Sequence, residues 1–298
     1  MTEFEAITLQ ANGLTFSALA AGQATNHRGL VLLLHGFPDT AQSYQHQLRA
    51  LADAGYRAIA PAMRGYEPGS QPADGDYTLT SIATDVVGWL DYLDSPTAHL
   101  VGHDWGAAVA FVAGARHPER FQTITTMAIP PLTRIPAAIP RVPRQLLRSW
   151  YMTWFQLPKI SEWSITVRDR WLLKQLWTRW SPGLTLDEAE WAHIHATFDQ
   201  PGVCNAALAY YRQNATPPIL LGLRTTPAMQ KSIVPVPTLI INGTADGCMD
   251  RRLFARTIDE DDFPAGVTHT EIAEAGHFLQ LERPDEINRL LLEHLATS

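Results

Sequence analysis

Cysteine is scarce in this chain: only Cys204 and Cys248 occur, too few and too far apart for a disulfide framework or a zinc site. Basic residues are outnumbered as well. The net charge is -7 and the lysines and arginines form no long run, so the electrostatic footprint of a nucleic-acid binder is missing. No apolar run is long enough to span a bilayer, and the opening Met1-Thr2-Glu3-Phe4-Glu5 lacks the basic-then-apolar pattern of a secretory leader. These absences point to a cytoplasmic protein with reduced thiols, without nucleic-acid or membrane partners. Internal repeats and low-complexity segments are missing too. What remains is a globular composition, 46% hydrophobic and 18% charged over 298 residues, enough to bury a large core.

Residues 4 to 20 read as a hairpin, with alternating Phe4, Ala6, Thr8 and Gln10, an Asn12-Gly13 turn, then Leu14 to Leu19. The uninterrupted run Gly29 to Leu34 reads as a strand covered on both faces, ending in His35-Gly36-Phe37-Pro38. Helices are expected over about 40–54 and 80–93, strands over 58–60, 99–101 and 123–129, and a helix after Gly106. Such alternation predicts a mainly parallel sheet flanked by helices. From about Leu132 to Ser232 the pattern breaks into proline-punctuated helical stretches that hold seven of the nine tryptophans. This middle part reads as a helical lid. The expected division is 1–131 core, 132–232 lid and 233–298 core, the last part resuming with a strand over 236–241, a helix from about Arg251, a strand near 268–272 and a helix from about Pro284.

The stretch Gly102-His103-Asp104-Trp105-Gly106 sits where a short buried strand meets a helix of small residues. Glycines there permit unusual dihedrals and close backbone approach, which leaves the side chain at the tip exposed. The turn resembles the nucleophile elbow of the α/β-hydrolase fold, in the carboxylate version seen in epoxide hydrolases and haloalkane dehalogenases. That fold orders its groups nucleophile, acid, histidine. Asp246, in Asn242-Gly243-Thr244-Ala245-Asp246, and His277, in Ala273-Glu274-Ala275-Gly276-His277-Phe278, follow two later strands in that order. Asp250 competes with Asp246, although it also suits the start of the helix near Arg251.

A carboxylate at the elbow suits substitution at saturated carbon, because acyl transfer to it would require a mixed anhydride. The reading is an alkyl ester on Asp104, hydrolysed by water that His277 activates, with Asp246 fixing the histidine tautomer. Backbone N–H groups of Phe37 and Trp105 are the expected oxyanion hole. An epoxide oxygen also needs a proton donor. Trp150-Tyr151-Met152-Thr153-Trp154-Phe155-Gln156-Leu157-Pro158 and Ala209-Tyr210-Tyr211-Arg212 resemble the lid segments of epoxide hydrolases, and that resemblance implies Tyr151 and Tyr211 as donors, with Tyr210 the competitor of Tyr211. Adjacent helical residues point about 100° apart, so only one of the pair faces the site.

The resemblance further implies a cofactor-independent, metal-free enzyme taking a small apolar epoxide and water, as monomer or homodimer. His35 and Pro38 join Trp105, Tyr151 and Tyr211 as expected substrate contacts, His35 chiefly ordering its own loop. Two other readings share the same Asp104, Asp246 and His277: a haloalkane dehalogenase, and a silent homologue that binds an apolar ligand. Many dehalogenases carry Asn at the position of Phe37, and fluoroacetate dehalogenases place arginines where Trp105 and Ala107 stand here.

Overall fold

The structure, a computed structural model, describes residues 4–224, 226–229 and 233–297. Strands β1 (Glu5–Ala11) and β2 (Leu14–Ala21) form the hairpin, turning at Asn12-Gly13, both with positive φ. The inward set in β1 is Leu9 and Ala11; Ala6, Thr8 and Gln10 face water. The apolar residues Leu9 and Ala11 dictate that choice, because a period of two sends alternate side chains to opposite faces. Then come β3 (Leu30–Leu34), α1 (Gln45–Asp53), β4 (Arg57–Pro61), α2 (Leu79–Tyr92), β5 (Ala98–His103), α3 (Trp105–Arg116) and β6 (Phe121–Met127). The helix expected from residue 40 starts as a 3-10 turn over Ala41–Tyr44, because the Thr40 hydroxyl accepts the Gln42 N–H at 3.3 Å.

Between β6 and the next strand the described residues form only helices: α4 (Ile135–Ala138), α5 (Arg144–Arg148), α6 (Trp150–Trp154), α7 (Ile160–Thr166), α8 (Trp171–Trp180), α9 (Glu188–Phe198), α10 (Val203–Asn214) and α11 (Pro217–Leu220), with short 3-10 turns. The expected end of this part at Ser232 lies outside the described residues. Strand β7 (Thr238–Gly243), α12 (Arg251–Thr257), β8 (Val267–Ile272), α13 (Leu279–Glu282) and α14 (Pro284–Leu295) complete the chain.

The eight strands make one sheet in the order β1-β2-β4-β3-β5-β6-β7-β8, antiparallel through β1, β2 and β4 and parallel from β4 to β8. Alternate residues of the buried strands feed two cores. Leu30, Leu32 and Leu34 pack with α2, α3 and the helical segment, while Val31 and Leu33 pack with α1 and α14 on the other face. Burial on both faces is why β3 reads as a continuous apolar run.

Register brings the ends of the parallel strands to one edge: Leu34 pairs with Gly102, His103 with Met127, and Gly243 with Ile272. Sites in open α/β sheets are built at that carboxyl edge. Among the described residues no helix is long and apolar enough to cross a membrane.

Candidate active site

The turn after β5 carries Asp104 at φ 51° and ψ -119°, a sparsely populated conformation for a residue with a Cβ. Close packing enforces it. A Cβ on Gly106 would lie 2.1 Å from the Leu34 carbonyl oxygen, and one on Gly102 would lie 2.2 Å from that of Gly106. Helix α3 therefore lies against β3 and β5, and its first turn points at the carboxylate above it. The Asp104 carbonyl accepts the N–H groups of Ala107 at 3.0 Å and Ala108 at 3.1 Å, which locks the turn to the helix.

The loop after β3 comes to the same point. Phe37 N–H donates to Asp104 Oδ1 at 2.7 Å. Trp105 is the first residue of α3, where backbone N–H groups have no intrahelical partner. Asp104 Oδ2 lies 3.4 Å from His277 Nε2, and His277 Nδ1 lies 2.9 Å from Asp246 Oδ2. The other oxygen of Asp246 accepts the N–H groups of Cys248 at 2.6 Å and Met249 at 2.9 Å. All three side chains are buried. Asp250 instead caps α12 through the Arg252 N–H and pairs with the Arg252 guanidinium, so of the two candidates only Asp246 meets the histidine.

Electrostatics follow from that stacking. Burial works against a charged His277 ring, yet the carboxylates of Asp246 and Asp104 outweigh it and raise the imidazole to about 10. His277 Nε2 has no hydrogen-bond partner among the described residues, so the ring faces Asp104 with a proton still to place.

The helical segment supplies the opposite wall. Tyr211 lines the cavity over Asp104, and its hydroxyl has no partner among the described residues. Tyr210 points away and donates its hydroxyl to the Arg64 carbonyl at 2.7 Å. Tyr151 also lines the cavity, its hydroxyl 3.3 Å from Cys248 Sγ. Burial, with Cys248 or Asp104 adding repulsion, pushes both phenols well above their ordinary value, so they are held protonated. Otherwise the wall is mostly apolar, with Trp105, Ile129, Leu132, Met152 and Met249 around a space of about 690 Å³ that includes its open mouth.

Two expected contacts are corrected. His35 and Pro38 do not line this cavity. His35 Nδ1 bonds the Gly36 carbonyl at 3.0 Å and its Nε2 accepts the Met63 N–H at 3.1 Å, so both nitrogens are used inside the loop. Burial holds that ring down at about 4, hence neutral. The Pro38 carbonyl accepts the indole N–H of Trp177 at 3.1 Å, and the residue is buried under α8.

Sequence reasoning overlooked Asp39. Buried beside the site, it accepts from Thr40 N–H and the Ser43 hydroxyl at 2.7 Å each, and burial raises it to about 7. Its signal was present, an acid directly after His35-Gly36-Phe37-Pro38. Trp180 was missed as well: its carbonyl accepts the N–H groups of Gly247 and His277, both at 3.0 Å. Asp246, Cys248 and His277 are the only set among the described residues whose donor atoms stand close enough to share a cation. Those donors are already committed: the histidine to Asp246, the thiol to Tyr151, and the second oxygen of Asp246 to two backbone N–H groups.

Residues 29–159 match the family model for the alpha/beta hydrolase fold. Among relatives, the chain is 33% identical to the AB hydrolase superfamily protein YfhM of Bacillus subtilis, covering 95% of each chain. It is 30% identical to Epoxide hydrolase A of Mycobacterium tuberculosis, covering 96% of this chain and 95% of that one. A solved epoxide hydrolase from an endophytic Streptomyces superposes with a TM-score of 0.80 at 27% identity, covering 98% and 95% of the two chains.

Proposed function

The chain belongs to the epoxide hydrolase family of the α/β-hydrolase fold, and on that footing we propose that it opens epoxides to vicinal diols through a covalent ester on Asp104. The observation that carries the reading is a carboxylate, rather than a hydroxyl, at the elbow in contact with His277 and beneath two protonated phenols. A carboxylate is a nucleophile without losing a proton. Asp104 Oδ2 attacks a ring carbon, the ring C–O bond breaks, and the departing oxygen takes the proton of Tyr211 or Tyr151. Oδ1 becomes the ester carbonyl oxygen, already held by Phe37 N–H. The helical segment over 132–232 serves as the lid that carries the phenols.

Esterification also changes the base. It removes the Asp104 charge, one of the two anions that hold His277 protonated, so the ring gives its proton up to the phenolate left by ring opening and is then free to act on water. Water then attacks the ester carbonyl, and the oxyanion is met by the N–H groups of Phe37 and Trp105, each such donor contributing roughly 3 kcal/mol. Of the two protons of that water, one returns His277 to its resting charged form and the other leaves with the diol oxygen. A small apolar epoxide is the substrate we propose, a reading the mostly apolar wall supports.

His277→Gln removes the base and leaves the nucleophile. Incubated with styrene oxide, that variant is expected to gain the mass of the epoxide on the peptide containing Asp104, with diol release slowed about 10²–10⁴-fold. In a single turnover in heavy-oxygen water, the native chain is expected to take the label into Asp104. Label found only in the diol would overturn the ester.

A further inference from the structure

The outer face of the proposed lid is the opposite of what the composition suggests. Within residues 146–163, Leu146, Leu147, Trp150, Leu157, Ile160 and Trp163 are all exposed, Leu147 at 77% and Trp163 at 63% of their full surface. They lie on or between α5, α6 and α7. Only Ser149 separates α5 from α6, and Trp154 Nε1 donates to Ser164 Oγ at 3.0 Å, tying α6 to α7. Residues 141–168 also hold five cations, Arg141, Arg144, Arg148, Lys159 and Arg168, against the single acid Glu162, a net charge of +4 in a chain of net -7. Arg141, Arg144, Lys159 and Arg168 are exposed, with no ion pair among the described residues. Glu162 is itself paired with Arg212 at 2.7 Å.

Exposed apolar groups concentrated in one short stretch of the chain mark a surface that something covers, and tryptophan with leucine among cations is the composition of a segment lying in a lipid headgroup layer. We infer that this face of the lid docks on an anionic membrane surface, peripherally and without insertion of a spanning segment. Charge selects the occupant. A second copy meeting the face through a two-fold axis would set +4 against +4, whereas anionic headgroups complement it and the acidic remainder of the chain is repelled into solvent. The geometry also joins this face to the cavity: on α6, Trp150 points outward while its neighbours Tyr151 and Met152 line the wall above Asp104. An apolar epoxide dissolved in lipid would then meet the protein at the roof of its site. That last link rests on the proposed activity; the docking itself does not.

Flotation tests the docking without turnover. The full chain is expected to float with phosphatidylcholine vesicles holding about 30% phosphatidylglycerol, not with pure phosphatidylcholine, and to lose at least about tenfold in partition between about 20 and about 500 mM NaCl. The double variant L147E/W163E should lose about as much at low salt while keeping its far-UV circular dichroism and its turnover of a water-soluble epoxide. If that variant misfolds, the charge pair R144E/K159E replaces it. No flotation with anionic vesicles, or equal flotation of native and variant chains, overturns the inference. So does a dimer in sedimentation velocity that the same substitutions dissolve when vesicles bind nothing. Flotation without any diol formation would leave the surface standing and sink the activity instead.

Discussion

Tyr210 and Tyr211 are neighbours on α10, and their hydroxyls meet opposite fates. The hydroxyl of Tyr210 donates to a buried carbonyl on the loop after β4, and that of Tyr211 has no partner among the described residues over Asp104. Removing them should therefore do different things. Tyr210→Phe leaves the Arg64 carbonyl without its donor and should cost about 1–3 kcal/mol in urea unfolding, with modest kinetic effect. Tyr211→Phe removes a hydroxyl with no hydrogen-bond partner among the described residues; stability should hardly move, while ester formation slows about 10²-fold. Rapid-quench mass measurement of the Asp104 peptide reads that step, and a stable, fully active Tyr211→Phe chain would remove the phenol from the proposal. The family resemblance narrowed the choice to this pair and helical geometry required that only one of them face the site; the loop that holds the Tyr210 hydroxyl shows that Tyr210 is the one turned away.

Among the elements, α3 and the end of α8 matter most. Helix α3 can approach β3 only because Gly106 has no side chain: an added methyl would sit 2.1 Å from a backbone oxygen that cannot move away. Gly106→Ala should cost about 1–3 kcal/mol in urea unfolding and displace Asp104, lowering kcat/KM together with stability. A variant as stable and active as the native chain would show that the elbow does not depend on that contact. The end of α8 plays a part that no local pattern announces. The Trp180 carbonyl holds both the Asp246 loop and the His277 loop, and Arg148 on α5 donates to the carbonyls of Asp246 and Met249. The helical segment is thus not a loose cover; it fixes the Asp246 and His277 loops it lies on. Sequence order separates these partners by 67 to 101 positions, and nothing in spacing or composition links them.

Across the whole molecule, two buried groups, Asp39 and His277, make stability fall as pH rises. Asp39 is raised from 3.8 to about 7 and His277 from 6.5 to about 10. Both shifts mean that the folded chain binds a proton the unfolded chain has lost, so each group contributes a negative slope of stability against pH in its own window, opposed between about pH 4 and 6.5 by His35 and His99, both held down at about 4. The stabilisation from His277 is full below 6.5 and is lost as pH rises toward about 10; that linked to Asp39 is full below 3.8 and is lost by about 7. Urea midpoints for the native chain should therefore fall between pH 6.5 and 9.5, and His277→Gln should flatten that fall. Parallel slopes for the two chains would show that His277 carries no bound proton at rest.

The strands, their mainly parallel order and the tight turn at Asp104 were written locally, because burial on both faces makes a strand apolar throughout and a tight turn demands glycine; the order of Asp104, Asp246 and His277 was legible only through the family resemblance. His35 misled for the same reason. It stands beside the oxyanion loop in sequence, and only the folded chain shows both ring nitrogens spent on Gly36 and Met63. Tertiary structure alone decided which tyrosine faces the carboxylate, which acid meets the histidine, and that Asp39 is buried beside them. Those are matters of direction and desolvation, set by residues far away in the chain, and a period of 2 or 3.6 does not encode them.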